Sequence, residues 1–197
     1  MYFGSFNPIH IGHLIIANYV ANNTPLDQVW FIISPQNPLK KQMSVLNEHH
    51  RKHLIDLAIE GEKNLRTSNV EFNLPKPSYT VETLAYLREK YPNHHFSIIM
   101  GSDSLSNIRR WKNYEVLLRD YEMYVYQRSG FPVKKLPGSK VFILNAPLLE
   151  ISSTLIRDLI KQNKSIRFLV PDIVQEEIYS QGYYKDQSNE QTKKQAP

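Results

Sequence analysis

The part of this 197-residue sequence best suited to chemistry is Gly4-Ser5-Phe6-Asn7-Pro8-Ile9-His10-Ile11-Gly12-His13. His10 and His13 are three residues apart, so on one helical turn both rings can face the same point. Gly4 is expected to let the backbone turn tightly, and Gly12 to let an anion approach closely. A helix starting here would add unpaired N–H groups and a partial positive charge, both suited to a phosphate. Imidazole donors aimed at a phosphate stabilise the charge that develops in phosphoryl or nucleotidyl transfer. Taken alone, two histidines at this spacing read better as a surface turn with incidental histidines. The Gly-Ser-Phe-Asn-Pro ahead of them and Gly12 between them favour the anion site.

Four other segments could contribute. Ile151-Ser152-Ser153-Thr154-Leu155-Ile156-Arg157 opens a helix with hydroxyls and places a guanidinium one turn on, which makes either a second anion site or an ordinary cap with a solvated Arg. Gly101-Ser102-Asp103 follows an apolar run, and Trp111 lies eight residues past Asp103. The Asp could hold ribose hydroxyls and the Trp could stack on a flat ring, or they are a helix cap and a core residue. Pro77-Ser78-Tyr79-Thr80 reads as a helix start able to bind a carboxylate, or as a plain cap. Asn37-Pro38-Leu39-Lys40-Lys41 puts cations on a loop, where solvated lysines are the ordinary case.

These motifs need elements to hold them. Residues 2–4 look like the end of a strand, and residues 12–22 like a helix with a strongly apolar face. Val29 to Ile33 is strand-like and stops at Ser34-Pro35. Residues 47–60 carry Leu54, Leu57 and Ala58 at helical spacing. A strand is expected over 65–72, a helix capped by Ser78 through Lys90, and strands at 96–100, 123–126 and 141–144. Ser152 or Ser153 caps a helix to about Lys161, and a last helix runs from near Pro171-Asp172 to near Gly182. Strands alternating with helices predict an α/β fold, a single doubly wound parallel sheet of Rossmann type in which ligands bind beyond the carboxyl ends of the strands. With only about two residues ahead of Gly4, the first strand is short for a central one. That leads us to expect that the native chain starts upstream of Met1 or is truncated here.

Composition narrows the class. The length suits one domain, taken as residues 1–184, followed by a polar Gln/Lys/Asn-rich tail, 185–197, expected to be disordered. Hydrophobic residues make up 41%, so a sizeable core can form, and no apolar run reaches the roughly 20 residues of a membrane span. The start lacks the basic and apolar regions of a signal peptide. There are 0 cysteines, which removes disulfides, thiolate metal sites and Cys nucleophiles. The net charge of +5 suits anionic small molecules, while nucleic-acid binding would need a denser basic stripe. A cytoplasmic protein is the simplest expectation. Nothing in the sequence specifies an oligomeric state.

Together the motifs resemble the HIGH-type nucleotidyltransferases, whose signature residues 10–13 spell out. The combination is most similar to the bacterial nicotinate-nucleotide adenylyltransferases. That family opens with Gly-Gly-Ser/Thr-Phe-Asp-Pro-x-His-x-Gly-His and also carries a Ser-Tyr-Thr helix start, a Gly-x-Asp strand end with a following Trp, and a late Ile-Ser-Ser-Thr-x-Ile-Arg. All four occur here in that order, over about residues 3–183. Two positions of the opening motif depart from it: Phe3 replaces the first Gly and Asn7 the usual Asp, which removes a charge. Leu39 stands where the family often has His.

The resemblance implies ATP and nicotinate mononucleotide as substrates, nicotinate adenine dinucleotide and pyrophosphate as products, and Mg²⁺ held mostly by phosphates and water, with no protein ligand named. It implies that Gly4, Ser5, Phe6, Asn7, His10, Gly12 and His13 meet ATP, with His13 nearest the reacting phosphorus. Ser153, Thr154 and Arg157 would hold the β- and γ-phosphates, His10, His13 and Arg157 forming the catalytic set. Lys40 would reach the mononucleotide phosphate and Asp103 a ribose. Tyr79, Thr80 and neighbouring amides would meet the nicotinate carboxylate, with Trp111 on the pyridine ring. Nicotinamide mononucleotide or phosphopantetheine are the alternative acceptors, the Ser-Tyr-Thr start weighing against the second. A catalytically silent nucleotide-binding module is favoured only by Asn7. An aminoacyl-tRNA synthetase fragment is rejected for want of a Lys-Met-Ser-Lys-Ser element.

Overall fold

The computed structural model describes residues 1–36, 45–133 and 136–185; Lys40 with its loop, and the tail after Lys185, lie outside the described residues. Six strands form one sheet: β1 (Tyr2–Gly4), β2 (Val29–Ile33), β3 (Leu65–Ser68), β4 (Ile98–Gly101), β5 (Glu122–Tyr126) and β6 (Lys140–Leu144). Their order is β3-β2-β1-β4-β5-β6, and every pairing is parallel. The chain therefore winds outward one way from β1, then returns and winds the other way from β4. The crevice between β1 and β4 is the switch point at which such sheets bind ligands.

Helices cover both faces, as buried parallel strands require. α1 (Ile11–Asn23), α2 (Glu48–Ala58), α6 (Ser153–Lys161) and α7 (Asp172–Ser180) pack on one face, against Tyr2, Phe31, Ile33, Ile99 and Tyr124. α3 (Thr80–Lys90), α4 (Ser102–Ser106) and α5 (Tyr114–Asp120) pack on the other, against Trp30, Ile32, Ile98, Met100, Met123 and Val125. The two lists alternate along each strand, so one continuous apolar run feeds two cores. Each fully buried Ile, Leu or Phe in them adds roughly 1.5–3 kcal/mol.

Several local expectations change. The strand expected over 65–72 ends at Ser68, where the Ser68 hydroxyl accepts the Val70 amide and the chain turns into a 3₁₀ segment, Val70–Asn73. Ser78 does not cap α3: Tyr79 is the N-cap, with no side-chain bond, and Ser78 is buried and donates to Glu71. The inner face of α2 is Arg51, Leu54 and Ile55, while Leu57 and Ala58 lie at its margin. β1 is short, as expected, but pairs on both sides.

Candidate active site

β1 leads straight into the histidine turn. Gly4 lies within the strand, and the left-handed residue of the turn is Phe6, at φ 43°. The glycine leaves room for an aromatic ring: a Cβ there would sit 2.8 Å from Phe6 Cζ. The Phe6 ring is buried edge-on against Tyr2, Phe31 and His13, so it anchors the turn in the core and leaves only its backbone toward a ligand. The Asn7–Pro8 peptide is cis.

His10 caps α1 from an extended backbone, with Nδ1 accepting the His13 amide at 3.4 Å. That bond leaves the ring proton on Nε2, which is then a donor. The ring is 3% exposed and stacks on His13 with centroids 3.6 Å apart. Burial, and then the positive charge of Arg128, pull the His10 pKa down to about 4, so the ring is neutral at pH 7. The expected close approach at Gly12 is used from inside: a Cβ there would lie 3.1 Å from the His10 ring. Gly12 makes space for the imidazole before any phosphate arrives.

α6 is fastened to this turn. Ser152 caps the helix through the Leu155 amide at 3.1 Å, and Ser153 Oγ donates to the Pro8 carbonyl at 2.8 Å. Arg157 Nη1 donates to the Asn7 carbonyl at 2.7 Å, and Nη2 to Thr154 Oγ1 at 3.2 Å. The 150-residue gap between Asn7 and Arg157 thus closes into one cluster holding His10, His13, Ser153, Thr154 and Arg157. Asn7 itself is buried, and its Oδ1 accepts the Leu46 amide at 3.2 Å. An amide side chain does that work without a charge.

Across the switch point, β4 ends at Gly101, where any Cβ would collide with Asp103 Oδ1 and lie 3.1 Å from Arg128 Cγ. Here the missing side chain lets Asp103 fold back over the strand end. A cavity of about 370 Å³ opens beside it, lined by Gly4, Gly101, Tyr79, Thr80 and Trp111 among others. Tyr79, Thr80 and Trp111, expected to act together, do share one wall, with Trp111 half-buried. A larger cavity, about 640 Å³, is lined by Met1, Trp30, Ser97 and Glu122, at the amino ends of the strands, and carries none of these motifs. His10, Gly12 and His13 line a third pocket, of about 20 Å³, which adjoins the 370 Å³ cavity through Tyr2 and Tyr126.

Two cations escaped the sequence reading. Arg51 is fully buried and donates to four carbonyls, Leu46 at 2.7 Å, Ser5 at 2.5 Å, Ser34 at 3.0 Å and Pro35 at 3.4 Å. It ties the histidine turn to the loop after β2. Its signal was there to be seen: a charge three and four residues before Leu54 and Ile55, on the apolar stripe. Arg128, just past β5, donates its amide to Ser102 Oγ at 2.8 Å and brings Nε to 4.0 Å from Asp103 Oδ1. No spacing marks it, because only the sheet brings β5 beside β4. Among the described residues no group of three or more His, Cys, Asp or Glu side chains could hold a metal, and no helix is long and apolar enough to cross a membrane.

Comparison with known proteins supports what this geometry suggests. Residues 1–159 match the model of the cytidylyltransferase-like family. A protein of Cytophaga hutchinsonii is 51% identical over 187 residues, covering 94% of this chain and 97% of the relative. One of Flavobacterium psychrophilum is 48% identical over 188 residues, with the same coverage. Both are named as probable nicotinate-nucleotide adenylyltransferases. This chain belongs to that family. It is accordingly a nucleotidyltransferase with the family's α/β fold. The fold is also that of the Plasmodium falciparum nicotinic acid mononucleotide adenylyltransferase solved with NaAD, at a TM-score of 0.78 and 21% identity, over 93% of this chain and 95% of that one.

Proposed function

We propose that this protein transfers the adenylyl group of ATP to nicotinate mononucleotide, giving nicotinate adenine dinucleotide and pyrophosphate, a step of NAD synthesis. The observation that carries this reading is that the pocket lined by His10 and His13, to whose turn Arg157 is fastened, adjoins the cavity walled by Thr80 and Trp111, with Tyr2 and Tyr126 lining both. The histidine turn suits a triphosphate; the cavity has room for a mononucleotide.

In the reaction, an oxygen of the mononucleotide phosphate attacks the α-phosphorus in line, and the bond to the β-phosphate breaks. No protein nucleophile is required, so the protein contributes position and charge stabilisation. We assign His10 Nε2–H and the His13 ring to the α-phosphate region, where the neutral His10 donor stabilises developing charge without holding the product as an ion pair would. Ser153, Thr154 and Arg157 are assigned to the departing pyrophosphate, the backbone of Gly4 to Asn7 with Gly12 to the ATP side of the turn, and Asp103 to a ribose. Thr80 and Tyr79 are assigned to the nicotinate carboxylate through the uncapped amides that open α3, and Trp111 to the pyridine. Lys40 remains our candidate for the mononucleotide phosphate. Mg²⁺ would enter with ATP on its phosphates and water. The residues 1–184 form the transferase unit, and the location that suits these substrates is the cytoplasm.

Pyrophosphate release measured with ATP, Mg²⁺ and each mononucleotide tests the reading. Release with nicotinate mononucleotide supports it; release only with another acceptor, or none, removes it. Trp111→Ala should raise the KM for the mononucleotide and leave that for ATP, and an unchanged KM would return the Trp to the core.

A further inference from the structure

Nicotinate and nicotinamide rings have the same shape and differ at one substituent, a carboxylate in place of an amide. A pocket that separates them must do so with charge or with hydrogen-bond type. The wall that carries Trp111 also carries Lys112, whose ammonium reaches across to the start of α3. Lys112 Nζ lies 2.5 Å from Glu82 Oε1 and 4.6 Å from the centroid of the Tyr79 ring, next to Thr80. The two members of the pair are 45% and 47% exposed. An ion pair this exposed holds its partner by less than about fivefold. The ammonium is thus kept at the pocket mouth, partly by the aromatic face, by a partner that is readily exchanged.

The other carboxylate in this wall does not compete for it. Glu71 is buried, with its oxygens taken by Ser78 Oγ at 2.6 Å and Thr83 Oγ1 at 2.8 Å. We propose that Lys112 is a specificity-determining residue, which exchanges Glu82 for the carboxylate of the bound pyridine and so selects nicotinate over nicotinamide mononucleotide. An ammonium offers three donors and no acceptor. It pairs with a carboxylate as ion with ion, whereas a carboxamide can offer it only a neutral carbonyl oxygen, so the gain falls on nicotinate. This inference rests on the assignment of the cavity to the mononucleotide.

The test is calorimetric binding of nicotinate and nicotinamide mononucleotide to the wild type, Lys112→Met, Glu82→Gln and, because Arg110 also lines the cavity, Arg110→Met, with turnover followed in parallel. The ratio of the two Kd values is the readout, because a merely structural role would weaken both ligands alike. The preference for nicotinate should fall about tenfold in Lys112→Met, the scale of a hydrogen bond to a charged group. It should rise in Glu82→Gln, where the lysine is released, and hold in Arg110→Met. An unchanged ratio in Lys112→Met, or an equal loss of both ligands, overturns the proposal; a shift confined to Arg110→Met transfers the role to that guanidinium. Selective binding without pyrophosphate release would reject the transferase reading and leave the selector in place, and a wild type that binds neither ligand would reject both.

Discussion

The neutral state of His10 has a consequence for stability that can be measured apart from any substrate. In the unfolded chain the ring takes up a proton near pH 6.5; in the folded protein burial, with Arg128 adding to it, delays protonation to about pH 4. Between those values the unfolded state binds more protons than the folded one, so stability falls as the pH falls. The contribution is complete above about pH 6.5 and is lost on the way down to the folded value. The full shift corresponds to about 3 kcal/mol, of which about 2 kcal/mol is lost between pH 7 and pH 5. Replacing His10 by Gln keeps a hydrogen-bonding side chain and removes the titration. Denaturant unfolding of both proteins at several pH values gives the difference curve, in which groups distant from His10 cancel. The wild type should lose about 2 kcal/mol relative to His10→Gln between pH 7 and pH 5. Parallel curves would mean that the ring keeps its ordinary pKa and is solvated, and a wild type gaining stability relative to His10→Gln as the pH falls would mean that it is charged; either would refute the buried neutral donor in the mechanism.

Other perturbations reach different parts of the site. His13→Ala should lower kcat by about 10², the scale of one lost transition-state donor, and near-normal turnover would remove His13 from the mechanism. Gly101→Ala should force Asp103 off the strand end and raise the KM of the nucleotide whose ribose it holds by about tenfold, on the scale of a charge-assisted hydrogen bond; an unaltered KM would dissociate Asp103 from substrate. Arg51→Met should leave buried carbonyls of the two flanking loops unpaired and lower the unfolding free energy by about 3 kcal/mol or more, read by urea denaturation. A loss under about 1 kcal/mol would show that water replaces the guanidinium.

The chain order of strands and helices was legible because both signals are local. Apolar runs such as Val29 to Ile33 and caps such as Ser152 state their own conformation. The opening turn was legible because Gly4, His10, Gly12 and His13 lie within ten residues, and a resemblance carried by contiguous motifs survives without a structure. The short-range errors have local causes too: Ser78 looks like a cap, but a buried carboxylate seven residues earlier claims its hydroxyl.

What the sequence could not state is how distant segments divide the work. Gly12 reads as room for a phosphate until the His10 ring is seen to fill it, and Asn7 reads as a weakened Asp until Leu46 is found on its oxygen. Arg51 and Arg128 gain their roles from carbonyls and carboxylates that lie far away in the chain. Residue type and spacing fixed which groups could do chemistry. The 3-2-1-4-5-6 winding of the sheet, which places the ends of β1 and β4 side by side, decided which of them meet, because a crevice between strands 97 residues apart exists only after the strands have paired.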